Sequence, residues 1–351
     1  MAYTTIDDPS LYHQTLLYTG NGSGSRALTN TGNSDLQPDW LWIKNRSNAV
    51  DHGIWDSSRG AGKRLTISTG AEEDQTNVAS FNSDGFTVNT GDIVNTNSHT
   101  YVAWQWKANG GTTTSFTESG GNPGGDRQVN TTAGFSIIDY VGTGSAGTIA
   151  HGLGATPEWI VFKDRSGDGD NWFVYHQGTG NGGGVRFDTN AATGSDSNRF
   201  NNTSPNSTNF TVGASGGVND DGKATIAYCF TPIKGYSKFG TYRGNGNANG
   251  NFVFTGFKPA FLITKKYSAS DHWKVYDTQR DQANDGSLTG LKVNANDNES
   301  DSGTRAIDLL SNGFKLRETD GDTNGVNQDY IFIAFAEHPF VSSKGVPVTA
   351  R

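Results

Sequence analysis

The stretch "PDWLWIKNRS", residues 38–47, sets Trp40, Leu41, Trp42 and Ile43 in a row behind Pro38 and then stops at Lys44, Asn45, Arg46 and Ser47. The run is too short for a helix, is opened by a proline and is built of residues that favour extended backbone, so it predicts a strand. Successive side chains on a strand point to opposite sides, and apolar residues at consecutive positions therefore put bulk on both faces. Both faces should be covered, which places the strand at the centre of a sandwich. Lys44 is expected to mark where the strand leaves the core and its side chain reaches water.

The stretch returns as "PEWIVFKDRS" at 157–166 and, in weaker form, as "PAFLITKKYS" at 259–268, so Lys163 and Lys265 carry the same expectation as Lys44. Each copy keeps the same neighbours in the same order. A Tyr-x-Gly-x-Gly opens the unit ("YTGNG" at 18, "YVGTG" at 140, "YRGNG" at 242) and the Pro-led run follows. Then come "GIWDSSR" at 53, "FVYHQGT" at 173 and "KVYDTQR" at 274, and after them "DGFTV" at 84, "NFTV" at 209 and "NGFKL" at 312. A Val-Asn turn and a last strand close each unit: "VNTNSHTYVAWQW" from 94, "VNDDGKATIAYCF" from 218 and "VNQDYIFIAFA" from 326. Whole units are repeated, each of about the size of one β-sandwich. The predicted fold is all-β, three tandem β-sandwich, jelly-roll-like repeat domains. They lie at 16–107, 135–231 and 232–340, with a leader at 1–15, a Gly/Ser/Thr-rich flexible linker at 108–134 and a tail at 341–351.

Composition agrees with short strands and many turns: 47 of 351 residues are glycine, well above the roughly 7% average. A single cysteine, Cys229, cannot form an internal disulfide and suits assembly in a reducing cytoplasm. It matches Gln105 and Ala336 in the other units and is expected to be structural. No window approaches a membrane helix, and the start "MAYTTIDDPS" has neither a basic nor an apolar region, so a soluble chain with no export signal and no membrane insertion is expected. A net charge of -8 with scattered basic residues argues against nucleic acid.

The combination of Tyr-x-Gly-x-Gly, "PDWLWIKNR", Asp-Ser-x-Arg-Gly, Ser-Asp-Gly-Phe-Thr and "YVAWQWK" resembles a family of repeat domains of unknown function found in virion proteins of tailed bacteriophages, particularly marine ones. The head "TTIDDPSLYHQTLLYTGNG" is similar to the N-termini of such proteins. The resemblance implies a virion component, made in the host cytoplasm, with no enzyme activity and no catalytic residues. It is strongest in the first unit. The second unit departs from it, with His176, Gln177, Gly178 and Thr179 where the first has Asp56, Ser57, Ser58 and Arg59.

"GTGSAG" at 142–147 satisfies Gly-x-Gly-x-x-Gly, but no helical pattern follows and the other units open on equivalent turns, so a turn is expected. Asp320, Asp322 and Asn324 in "DGDTNG" follow the first half of a calcium loop, yet Ile331 stands where the bidentate Glu would be; a solvated turn is expected and no metal or cofactor. The seven histidines form no metal pair, and Asp168 and Asp170 lie in a turn-rich segment unsuited to the fixed separation of a glycosidase pair. Trp172 and Trp273 share one repeat position, where the first unit has His52; packing is the expected role and a stacking platform for sugar rings the alternative. Asp56 with Arg59, and Asp277 with Arg280, share an Asp-x-x-Arg spacing that could close a loop as a structural clamp or, less simply, form a ligand site.

The sequence thus points to a phage virion surface protein whose work is adhesion or structure. A tail or tail-fibre component contacting host surface glycans leads, a capsid decoration or head-fibre protein follows, and a polysaccharide depolymerase is a distant third. The expected partners are other virion proteins, host glycan and further copies of the chain. The leader at 1–15 is expected to order when it docks on the particle.

Overall fold

The computed structural model describes residues 3–280, 290–299 and 306–348. The three repeats fold alike. In the first unit a sheet runs in the order His13–Thr19, Thr100–Trp106, Trp40–Asn45, Gly53–Asp56, Lys63–Thr66 and Glu73–Asp74, and a smaller sheet of Arg26–Leu28, Phe86–Val88 and Val78–Phe81 packs on it. The third unit repeats this with Ser237–Arg243, Asp329–Pro339, Phe257–Lys266, Trp273–Asp277 and Leu291–Lys292, covered by Phe252–Phe254, Gly313–Leu316 and Ile307–Leu310. The second has Phe135–Val141, Ala224–Phe230, Trp159–Asp164, Phe173–His176, Gly183–Arg186 and Gly194–Ser195, with Gly147–Ala150 and Asn209–Val212 above them. All pairings of these strands are antiparallel, and the fold is all-β as expected.

The repeated motifs are what close each sandwich. Tyr18, Tyr140 and Tyr242 reach across to donate their hydroxyls to the carbonyls of Val94, Val218 and Thr323. The first glycine after each tyrosine lets the chain pass against that turn: a Cβ on Gly20, Gly142 or Gly244 would sit 2.0, 2.3 or 2.4 Å from a backbone oxygen. The next glycine, at φ +69°, +65° and +62°, donates its N–H to the carbonyl of Asn95, Asn219 and Asn324. In the third unit the turn asparagine is therefore Asn324 and not Asn327. The register follows: Cys229 pairs with Ile160 and Ser136, and the matching residue, paired with Leu262 and Lys238, is Ala334 rather than Ala336.

The consecutive apolar runs have the two covered faces they demand, but the second cover is not part of the same sandwich. Leu41 and Ile43 face the first unit's own small sheet, whereas Trp40 and Trp42 face away from it. Ile160 and Phe162 divide from Trp159 and Val161 in the same way. The outward set from all three units forms one buried cluster, in which Trp40, Trp104 and Trp106 of the first meet Trp159, Tyr228 and Phe230 of the second and Phe261 and Phe335 of the third. Trp40 stacks on Tyr228 at 4.8 Å, Trp106 meets Phe261 edge-on at 5.2 Å, and Phe230 meets Phe335 at 5.6 Å. The three sandwiches share a core.

Three expectations are corrected by this packing. Residues 108–134 are not a flexible tether. Thr114–Phe116 and Gly124–Asn130 extend the second unit's sheet, and glycine lets the strand lie there because a Cβ on Gly125 would sit 2.0 Å from the Asp139 carbonyl. Asp39 further holds the segment by accepting from the N–H groups of Ala108 at 2.6 Å and Gly110 at 3.0 Å. The N-terminal segment is ordered on its own chain: Tyr3 donates to the Gly256 carbonyl at 2.8 Å, Ile6 is buried in the shared core, and Asp7 accepts from the Ser343 N–H at 2.6 Å. His13, Gln14 and Thr15 already belong to the first strand. Lys44, Lys163 and Lys265, finally, do not reach water.

Candidate functional site

Asp56, Arg59, Asp277, Arg280, Trp172 and Trp273 collect at the seams between units, and each seam is built on one plan. In the first unit the loop after Gly53–Asp56 folds back so that Asp56 Oδ1 accepts from the Arg59 N–H at 2.9 Å and Oδ2 binds Arg59 Nε at 2.6 Å. Tyr228 of the second unit donates to the same Oδ2 at 2.7 Å. The third unit repeats the arrangement, with Arg280 on Asp277 at 2.9 and 2.6 Å and Trp104 of the first unit donating its indole N–H to Asp277 Oδ2 at 3.0 Å. In the second unit His176 replaces the aspartate. Its Nδ1 accepts from the Gly178 N–H at 3.0 Å, so the ring proton lies on Nε2, directed at the Phe332 carbonyl of the third unit 3.3 Å away. At Gly178, the counterpart of Ser58, a Cβ would meet the Thr241 side chain of the third unit at 2.3 Å.

A second ring of contacts runs the same way round. Trp172 of the second unit donates to the Thr66 carbonyl of the first at 2.8 Å, and Trp273 of the third donates to the Arg186 carbonyl of the second at 2.8 Å. His52, at the matching place in the first, contacts the Lys292 carbonyl of the third through Nε2 at 3.0 Å while its Nδ1 accepts from Trp42. Each unit thus reaches into the one before it and the first reaches into the third, which closes the ring. Backbone bridges cross the same three seams in the opposite sense: Glu72 N–H to the Arg165 carbonyl, Thr193 to Tyr267 and Glu299 to Arg46. Trp172 and Trp273 are fully buried, which leaves no ring face for a sugar.

Charge is concentrated along two of these seams. Glu72 joins Arg59 at 2.9 Å to Arg165 of the second unit at 3.0 Å, and Arg165 also holds Asp139 at 2.7 Å. Glu299 joins Arg280 to Arg46 in the same way, at 2.9 and 2.5 Å. Burial, only partly offset by Arg165, raises the Asp139 carboxyl to about 6. Lys44 donates to the carbonyls of Val50 at 2.6 Å and Asn296 of the third unit at 3.0 Å; Lys265 donates to Asn190 of the second unit at 3.1 Å and to Asp271 at 2.5 Å; Lys163 donates to Asp170 at 2.7 Å. Burial lowers Lys44 and Lys265 to about 8. It also holds His13 and His52 down to about 3 and His176 to about 4.

The remaining candidates do not assemble. Asp320 caps the single helical turn Gly321–Asn324, Asp322 pairs with Lys274 at 2.8 Å, and Asn324 turns inward to the carbonyls of Glu318 and Asn247. Cys229 is buried, and burial pushes its thiol well above the usual range. Sequence reasoning missed Glu72, Glu299, the lysine cages and Asp164; only the shared Lys-(Asn/Asp)-Arg after each of the first two runs hinted that charge was placed deliberately.

A family model described as a domain of unknown function (DUF7483) matches residues 8–339, and no curated protein matches the chain. The chain belongs to that family.

Proposed function

We propose, for this member of the DUF7483 family, a structural and non-enzymatic role on the surface of a bacteriophage virion, as a tail or tail-fibre component that meets host surface glycans. One observation carries the reading: the Asp-x-x-Arg pairs and their histidine counterpart are spent on joining the units. The side chains of Asp56, Arg59, His176, Asp277, Arg280 and the three lysines are buried at or beside the seams, while turns such as 21–25, 144–146, 201–204 and 247–249 are exposed. A ring held at every seam can carry load and present loops without moving. The resemblance of its motifs to virion repeat domains supports the same reading. A capsid decoration or head-fibre role is the second reading, favoured by Phe252 and Phe254, exposed side by side on an edge strand of the third unit and suited to seating on another virion protein or another copy.

Antibodies to the purified chain test the proposal on phage particles from a producing lysate. Labelling of tails with binding of the free protein to host cells supports adhesion, and labelling of heads with binding to empty capsids supports decoration. Particles that lack the chain, or release of reducing sugar from host polysaccharide by the purified protein, would overturn a structural role.

A further inference from the structure

The second unit brings together three carboxylates, of which the third unit keeps one and the first none. Asp164 ends the strand Trp159–Asp164, Asp170 lies in the loop before Trp172, and Asp220 follows the turn asparagine Asn219; one oxygen of each lies within 4.8 Å of the others. Asp164 is 1% exposed. Its Oδ1 accepts from the backbone N–H and the hydroxyl of Ser166, whereas its Oδ2 is buried with no hydrogen-bond partner. An unpaired buried carboxylate oxygen is costly anywhere, and more so on a residue clustered with two further carboxylates.

The cations nearby are already engaged. Lys163 donates to the Asp170 carbonyl, Lys223 pairs with Asp168 at 2.9 Å, and Arg199 pairs with Asp196 at 2.9 Å. The third unit shows how the same place is balanced. There Lys266 stands where Asp164 stands, and its ammonium sits on Asp271, the counterpart of Asp170; the first unit has neutral Asn45. Where one repeat supplies a tethered cation, the second supplies another carboxylate.

We propose that Asp164, Asp170 and Asp220 bind a divalent cation, and that the ion is calcium. The donors are all hard oxygens, and two of the three stand on loops that can adjust to a large ion, which suits calcium better than the strict octahedron of magnesium. The ion pins the loop 165–171 against the first unit, where Gly167 already abuts Ala71. Calcium does here what Lys266 does in the third unit.

The test is the thermal midpoint of the whole chain, first stripped with a chelator and then titrated with calcium chloride, with calorimetric titration of the same samples. Calcium should raise the wild-type midpoint progressively as the site fills. Asp164→Lys should raise the midpoint of stripped protein and abolish the calcium response. Asp220→Asn, which keeps the shape of the site, should weaken calcium binding by about tenfold or more and carries the test alone if the lysine variant does not fold. A wild type whose midpoint and titration are indifferent to calcium, or an Asp220→Asn protein that responds as the wild type does, overturns the site.

Discussion

Replacing Trp40 with alanine empties part of the shared core where the first two units meet. Its ring lies 4.6 Å from Trp106, 4.8 Å from Tyr228, 5.7 Å from Phe230 and 6.3 Å from Trp159, so rings of two units close around it. Its indole N–H has no partner, and the substitution therefore orphans no hydrogen-bonding group. The loss is that of a large buried aromatic, about 4 kcal/mol. What that does to the melting temperature depends on how much of the chain unfolds together. Unfolding entropy is about 2 cal/mol/K per residue, so a cooperative unit of 351 residues shifts by about 5 °C, whereas a lone sandwich of about 100 residues would shift by about 20 °C. Scanning calorimetry separates the cases. A single endotherm moved down by about 5 °C is expected. An endotherm that splits, with about a third of the enthalpy moving far and the rest staying, would refute the shared core.

Other perturbations probe the seams. Arg59→Ala leaves Asp56 buried without its partner and should cost about 3–5 kcal/mol in urea unfolding, with Arg59→Lys a poor substitute because the fork serves Asp56 and Glu72 together. Gly142→Ala drives a Cβ into the Asp220 carbonyl and should destabilise by more than about 1 kcal/mol, measured the same way. Acid should unfold the chain through its histidines: His13, His52 and His176 have folded values below the free value near 6.5, the unfolded chain takes up the protons, and stability falls from about pH 6.5 toward 4, a loss that Asp139 opposes between about 6 and 4. Midpoints measured across that range should fall, and His52→Gln should flatten the slope. In base the slope keeps the same sign, since depressed Lys44 and Lys265 let the unfolded chain hold more protons between about pH 8 and 10.5; stability should rise with pH there until buried tyrosines such as Tyr228 and Tyr242, whose raised values act the other way, end the gain.

Local patterns carried their own information faithfully. Trp40 to Ile43 announced a strand covered on both sides, and each Tyr-x-Gly-x-Gly marked a close passage that the tyrosine hydroxyl then fastens. What the pattern could not name was the cover. Trp42 and Leu41 look alike in sequence, yet one faces a neighbouring unit and the other its own sheet, and that choice is made by residues more than 100 positions away. Lys44 failed for the same reason: a lysine at a strand end normally snorkels, and the carbonyl of Asn296 that helps hold it lies 252 residues along the chain. The segment 108–134 misled through composition. Its glycines imply freedom when read singly, but Gly124 and Gly125 are there because neighbouring backbone leaves no room for a Cβ. Asp56 with Arg59 and Asp277 with Arg280 were legible as clamps; that Tyr228 and Trp104 complete them from the next unit was not.

If the three sandwiches are one closed ring around a common core, their central strands can lose protection only together. Hydrogen exchange read by mass spectrometry on peptides from Trp40–Asn45, Trp159–Asp164 and Phe257–Lys266 measures this. The ring predicts one opening free energy shared by all three strands, lowered equally in all of them by Arg59→Ala. Three separate values, with only the first unit responding to that substitution, would contradict it.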